Sequence, residues 1–224
     1  MEKAQRLLKQ GEIKMAKEGL NLSNAVFRCS EGKPNIFLIG DSIRLGYCET
    51  VKNELSDKAE VFYFSDNCKS TQYVIFNMRR WAEMFDDPDK VDLIHFNCGH
   101  WDVAHWNRYD LPLTGENEYA KNIEMIIALL KDFFPNAKLV FATTTPMNPD
   151  GGDTGGYDTR TSEAIAQYNK IAAGVVKEHG ISVNDLNSFV KDWDSTHYKD
   201  ICHFTDSAYV TIGKEVARKL HEIL

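Results

Sequence analysis

Residues 37–47 read FLIGDSIRLGY: an apolar run ends at Gly40, and an acid and a hydroxyl follow it, Asp41 and Ser42. A serine hydroxyl attacks a carbonyl only when a base takes its proton, and that base needs a partner to orient it. The stretch 194–209, DSTHYKDICHFTDSAY, offers Asp and His twice at the same spacing, as Asp194 with His197 and as Asp200 with His203. Serine, histidine and aspartate gathered at one place would equip a site for acyl transfer. Taken alone, Asp41–Ser42 suits a helix start equally well, because both residue types are ordinary N-caps after a strand. The G-x-S-x-G turn of the α/β-hydrolases is absent, since Ile43 and Arg44 follow the serine.

For these residues to meet, the elements between them must bring them to one edge. Short, nearly continuous apolar runs lie at 35–40, 59–64, 91–97 and 137–144, with a weaker one at 181–186. Runs of this kind are strands buried on both faces. Between and after them, apolar residues recur every three or four positions in 117–134, in 162–178 and from Tyr209 to Ile223, the pattern of helices that cover a core. The alternation predicts an α/β fold, a three-layer doubly wound α/β/α sandwich on a mainly parallel sheet of about five strands. Ligands in such folds bind beyond the carboxyl ends of the strands. Asp41 and Ser42, the loops 65–71, 97–110 and 143–160, and the acids and histidines of 194–209 therefore belong at one rim.

The block IGDSI after the first strand and the block DICHFTDSAY before the last helix resemble the SGNH (GDSL-like) hydrolase family, three-layer α/β esterases and lipases. The resemblance covers roughly residues 35–224; a single domain is expected over 34–224, with residues 1–33 as a separate N-terminal helical arm. It implies Ser42 as nucleophile, His203 as general base and Asp200 as the residue orienting it. Asp200/His203 is preferred to Asp194/His197 because Thr205 is a natural N-cap for the last helix, which places His203 just ahead of its first turn.

The two middle blocks of the family are altered. The glycine whose N–H would join that of Ser42 in the oxyanion hole is replaced by Cys68. The third block reads Gly99-His100-Trp101-Asp102, so Trp101 stands where the resemblance implies an asparagine. Asn97, two residues before the block, and the indole of Trp101 are alternative third donors. Loss of one such donor typically costs about 10²–10³ in kcat. Asp41, Trp106, Tyr109 and Trp193 are expected to contact substrate, and with Trp101 and Tyr157 the aromatic residues would form a wall on which a sugar could stack.

The reaction so implied is hydrolysis of a carboxylic ester, removing acetyl or another short acyl group from a small-molecule or carbohydrate ester without a cofactor; a lipase or thioesterase acting on longer acyl chains is an alternative. An alternative, a metal site drawn from Cys68, Cys98, Cys202, His100 and His203, has no recognised ligand spacing behind it. A catalytically weak binding protein on the same fold is a further alternative. The formal charge of −7 and pI near 5.5 speak against a nucleic-acid partner. No membrane span, signal peptide or CxxC pair is visible, which predicts a cytoplasmic chain with reduced thiols. The N-terminal arm is expected to pack on the domain or on a second copy.

Overall fold

The computed structural model describes residues 20–107, 109–151 and 158–224. In chain order the strands are β1 (Asn35–Ile39), β2 (Glu60–Phe62), β3 (Val91–Phe96), β4 (His105–Trp106), β5 (Lys138–Ala142), β6 (Asp158–Thr159) and β7 (Ser182–Asn184). The helices are α1 (Ser42–Glu54), α2 (Thr71–Ala82), α3 (Glu116–Phe133), α4 (Ser162–Glu178), α5 (Leu186–Val190) and α6 (Asp206–Ile223). Five strands form one parallel sheet in the order β2-β1-β3-β5-β7. The sequence direction of this order reverses between β1 and β3, the kind of switch point where doubly wound folds open a crevice.

All five residues of β1 are buried, and their alternation explains why both faces must be covered. Phe37 and Ile39 join a core with Ile94, Phe96 and Phe141 under α2, α3 and α4. Ile36 and Leu38 join Leu93 and Val140 under α1, α5 and α6. That is the three-layer sandwich expected from the apolar runs.

Within the second layer, α1 and α6 approach closely through small residues. A Cβ on Gly46 would lie 2.3 Å from the Tyr209 ring, and one on Gly213 would lie 2.6 Å from Thr50 Cβ. Both helices begin at the same sheet edge, so their contact fixes the separation of what precedes each of them. β3 carries His95 into the centre of the sheet. Burial pushes this imidazole down to about 3, leaving it neutral, and its Nε2 lies 3.2 Å from Asn184 Nδ2.

Of the arm expected at 1–33, residues 1–19 lie outside the described residues. From Leu20 onward the chain packs on the domain: the N–H groups of Val26 and Phe27 donate to Met84 O, and the Phe27 ring packs at a tilt against Phe62 and Phe85. Among the described residues no helix is long and apolar enough to cross a membrane.

Candidate active site

Ser42 is the first residue of α1, and Asp41 is its N-cap, accepting the Ile43 N–H at 2.9 Å. Capping and hydroxyl chemistry are thus divided between neighbours. The Ser42 N–H has no acceptor among the described residues and sits at the positive end of the helix dipole. Its Oγ lies 2.8 Å from His203 Nε2.

His203 occupies the turn before α6, where Thr205 accepts the Ala208 N–H and caps the helix. Its Nδ1 lies 2.8 and 3.0 Å from the two oxygens of Asp200. Asp200 Oδ1 also accepts the backbone N–H groups of Cys202 and His203 at 3.0 and 2.8 Å. Desolvation raises the Asp200 carboxyl, but those N–H groups and the imidazole outweigh it, so its pKa falls below the ordinary value. An ionised Asp200 holds the proton on Nδ1 and leaves the Nε2 lone pair facing the serine. The three residues implied by the resemblance are therefore in hydrogen-bond sequence.

The rival pair does other work. Asp194 caps the short 3₁₀ turn Ser195–His197 and accepts from Thr196, while the His197 ring stacks on Trp193 at 4.8 Å.

Several expected contacts are reassigned by the structure. Asp41 is completely buried as a cap rather than facing substrate, and its Oδ2 has no partner. Burial raises its pKa, against the opposing pull of the Ile43 N–H, Arg160, Arg44 and His203. The Cys68 N–H, expected in the oxyanion hole, donates to Gly40 O at 3.2 Å, and its sulfur accepts the Gly40 N–H at 3.3 Å. Cys68 thus staples the loop after β2 to the turn after β1. Asn97 donates its amide to Ala142 O at 2.9 Å and to Thr144 Oγ1 at 3.4 Å, tying β3 to β5 instead of pointing at Ser42. Trp193 packs against Phe189, His197 and Phe204 under its own loop. Trp101 is half-buried against Trp106 at 5.0 Å, and its indole N–H has no acceptor among the described residues.

Trp106 is set by the antiparallel pairing of β4 with β6. With Asn107, Tyr109, Leu111, Pro112 and Leu113 it lines an open cleft of about 400 Å³. Tyr157 lies outside the described residues.

Three contributors were not singled out from the sequence. Arg44 is buried one turn into α1, and its guanidinium donates to Gly40 O, Phe64 O and Asp66 O at 3.1, 2.6 and 2.5 Å. This fork holds the second loop against the turn that carries Ser42. An arginine two places after the serine reads as an exposed helix residue, so no local signal marks it. Arg160, beyond the glycine-rich loop, donates to His100 O at 3.3 Å and reaches Cys202 Sγ at 3.8 Å, which brings a positive charge beside the triad. Asp102, the last residue of the third block, accepts from Thr71 N, Thr71 Oγ1 and Thr114 Oγ1. It thereby caps α2 from a distant loop, where Ser70 makes no cap bond of its own.

For metal chemistry the wider set does not converge. Cys68 serves Gly40 and Arg44, Cys98 is in the core, and His100 Nε2 pairs with Thr145 Oγ1 at 3.2 Å. Asp200, Cys202 and His203 are the one group among the described residues whose ligand atoms cluster.

The family model of the GDSL-like lipase/acylhydrolases matches residues 38–210. A GDSL esterase/lipase of Arabidopsis thaliana is 28% identical over 116 residues, a match spanning 47% of this chain and about half, 48%, of that relative. A second Arabidopsis GDSL esterase/lipase is 23% identical over 211 residues, covering 85% of this chain and 86% of its own. Among solved structures, a lipase/acylhydrolase from Enterococcus faecalis superposes with a TM-score of 0.65 at 18% identity, over 85% of this chain and 97% of that one, a likeness of fold.

Proposed function

The chain belongs to the GDSL-like lipase/acylhydrolase family, and from that premise we propose that it is a serine-dependent carboxylic-ester hydrolase working through an acyl-enzyme. The observation that carries this reading is the unbroken Ser42–His203–Asp200 hydrogen-bond sequence, 2.8 Å at each side of the imidazole.

Ser42 Oγ attacks the ester carbonyl while its proton passes to His203 Nε2. The tetrahedral oxyanion is met by the Ser42 N–H at the head of α1 and by the indole N–H of Trp101. Collapse breaks the ester C–O bond, and the imidazolium returns its proton to the departing alkoxide, giving the alcohol. Water then attacks the acyl-enzyme, with its proton going to the same Nε2, and the second collapse releases the acid and restores Ser42. Asp200 stays ionised throughout and stabilises the imidazolium.

We assign the substrate to small acyl groups, such as acetyl, on a carbohydrate or small alcohol. The space beside α1, bounded by Ile43, Tyr47, Asn97, His100 and Leu186, is water-sized, which supports a small acyl group. The Trp101–Trp106 pair and Tyr109 supply flat faces suited to a sugar ring on the alcohol side. A second reading, hydrolysis of longer-chain esters, draws on the apolar cleft under Leu111 and Leu113.

A fluorophosphonate probe is expected to label the native chain and not Ser42→Ala; equal labelling of both, or none of the native chain, overturns the serine mechanism. A panel of esters from acetyl to long chain decides between the two substrates, a preference beyond about octanoyl favouring the second.

A further inference from the structure

We propose that Asp200, Cys202 and His203 form an inhibitory binding site for a thiophilic divalent cation such as Zn²⁺, a site that switches the triad off by taking the place of one proton. The inhibitory part rests on His203 being the general base of the proposed esterase; the binding part does not.

The site is read from atoms, not from residue types alone. Cys202 Sγ lies 3.8 Å from His203 Nδ1, and an Asp200 oxygen lies 2.8 Å from the same nitrogen. The three ligand atoms all fall within 4.8 Å of one another. Tetrahedral zinc with bonds of about 2.3 Å to sulfur and about 2.0 Å to nitrogen needs those two atoms about 3.5 Å apart. The sulfur and nitrogen are therefore nearly in position. Asp200 is half exposed, with 48% of its side chain open, so rotation of its carboxylate closes the remaining gap to the sulfur. Thiolate, imidazole and carboxylate are a donor set that suits zinc. A fourth position is left to water. On the other side of the sulfur, Arg160 Nη2 lies at 3.8 Å.

The chemistry of inhibition follows from the two imidazole nitrogens. In the triad Nδ1 carries the proton toward Asp200 and Nε2 presents its lone pair to Ser42. When the ring proton moves from Nδ1 to Nε2, Nδ1 gains a lone pair and the cation binds through it. The Cys202 thiol proton leaves to solvent. With Nε2 protonated, the ring can only donate to Ser42 Oγ and cannot accept its proton. Binding releases one proton overall, so inhibition strengthens as pH rises.

Co²⁺, which reports thiolate ligation through a sulfur-to-metal charge-transfer band in the near ultraviolet, is titrated into the full chain, into Ser42→Ala and into Cys202→Ser. Folding of each is checked by circular dichroism. The expected result is a band in the native chain and in Ser42→Ala, displaced by Zn²⁺, and its loss in Cys202→Ser. Where ester hydrolysis is measurable, Zn²⁺ inhibits the native chain reversibly with a chelator. In Cys202→Ser, scaled to that variant's own activity, inhibition is weaker by at least about tenfold. No band in the native chain, or the same band in Cys202→Ser, overturns the site whatever the activity. A band accompanied by unimpaired hydrolysis overturns the inhibitory role. A chain that binds Co²⁺ through Cys202 but escapes fluorophosphonate labelling keeps the site and refutes the serine mechanism instead.

Discussion

Gly46 and Tyr209 touch where α1 crosses α6, so closely that no side chain fits at position 46. Ser42 lies one turn upstream on α1, and His203 lies three residues ahead of α6. The 2.8 Å between Ser42 Oγ and His203 Nε2 is therefore set by helix packing as much as by the loops that carry the two side chains.

Gly46→Ala should lower both stability and kcat. Overpacking costs about 1–3 kcal/mol and outweighs the gain of about 1 kcal/mol from replacing a helical glycine. Gly174→Ala is the control: position 174 is exposed on α4 with open space around it, and alanine there should stabilise by about 0.5–1 kcal/mol without touching kcat. Thermal melts and ester kinetics on both variants check this, and equal behaviour of the two would refute it.

The oxyanion donors can be told apart by two substitutions. Asn97 spends its amide on Ala142 O and Thr144 Oγ1, so Asn97→Ala should destabilise the chain yet change kcat by less than about tenfold. Trp101→Phe keeps a ring and removes the N–H, and it should lower kcat by about 10²-fold with little change in KM. The reverse ranking would mean that Asn97 turns inward when substrate binds.

Arg44 is a positioning residue for the second loop. Arg44→Met leaves the buried Phe64 O without its donor and takes one of two donors from Gly40 O, which keeps the Cys68 N–H, one buried unpaired carbonyl costing about 1–3 kcal/mol. A loss of about 1–3 kcal/mol in urea unfolding is expected. Arg44→Lys should recover only part of it, because an ammonium cannot span three acceptors with a planar fork. The surviving folded fraction should show reduced kcat at near-normal KM.

Asp102 gives a pH signature. Burial, offset in part by Thr71 and Thr114, pushes its carboxyl up to about 6 from 3.8. Between those values the folded chain holds a proton that the unfolded chain has lost. Its contribution to stability is thus complete below about pH 4, declines through the window, and is flat above about pH 6. Two pKa units amount to about 3 kcal/mol. Asp102→Asn should remove that slope when unfolding free energies are measured from about pH 4 to 7. A slope unchanged in the variant would place the titration elsewhere.

The sheet was legible because β1 and β3 are apolar on both faces, so their runs are continuous and cannot be mistaken for surface. Asp200 and His203 were legible because they precede a helix whose cap, Thr205, is itself a sequence signal. The oxyanion region was not. Whether the Cys68 N–H faces solvent or Gly40 O, and whether Asn97 turns toward Ser42 or Ala142, depends on partners 28 and 45 residues away. Arg44 escaped notice for the same reason: its burial is decided by loop carbonyls at Phe64 and Asp66, which no helical periodicity announces. Asp41 is legible either way, because a cap and a ligand-facing acid occupy the same place in a strand–turn–helix sequence.

Two residues of β4 and two of β6 make a sheet so small that it adds little stability, yet it fastens together the loops that follow β3 and β5. Those loops cannot be exchanged separately. A graft that borrows residues 97–114 from a relative in order to alter substrate choice would leave Thr159 facing a foreign partner and pull Arg160 away from His100 and Cys202. On the proposed reading, specificity in this chain rests on a pair of loops that must be transplanted together.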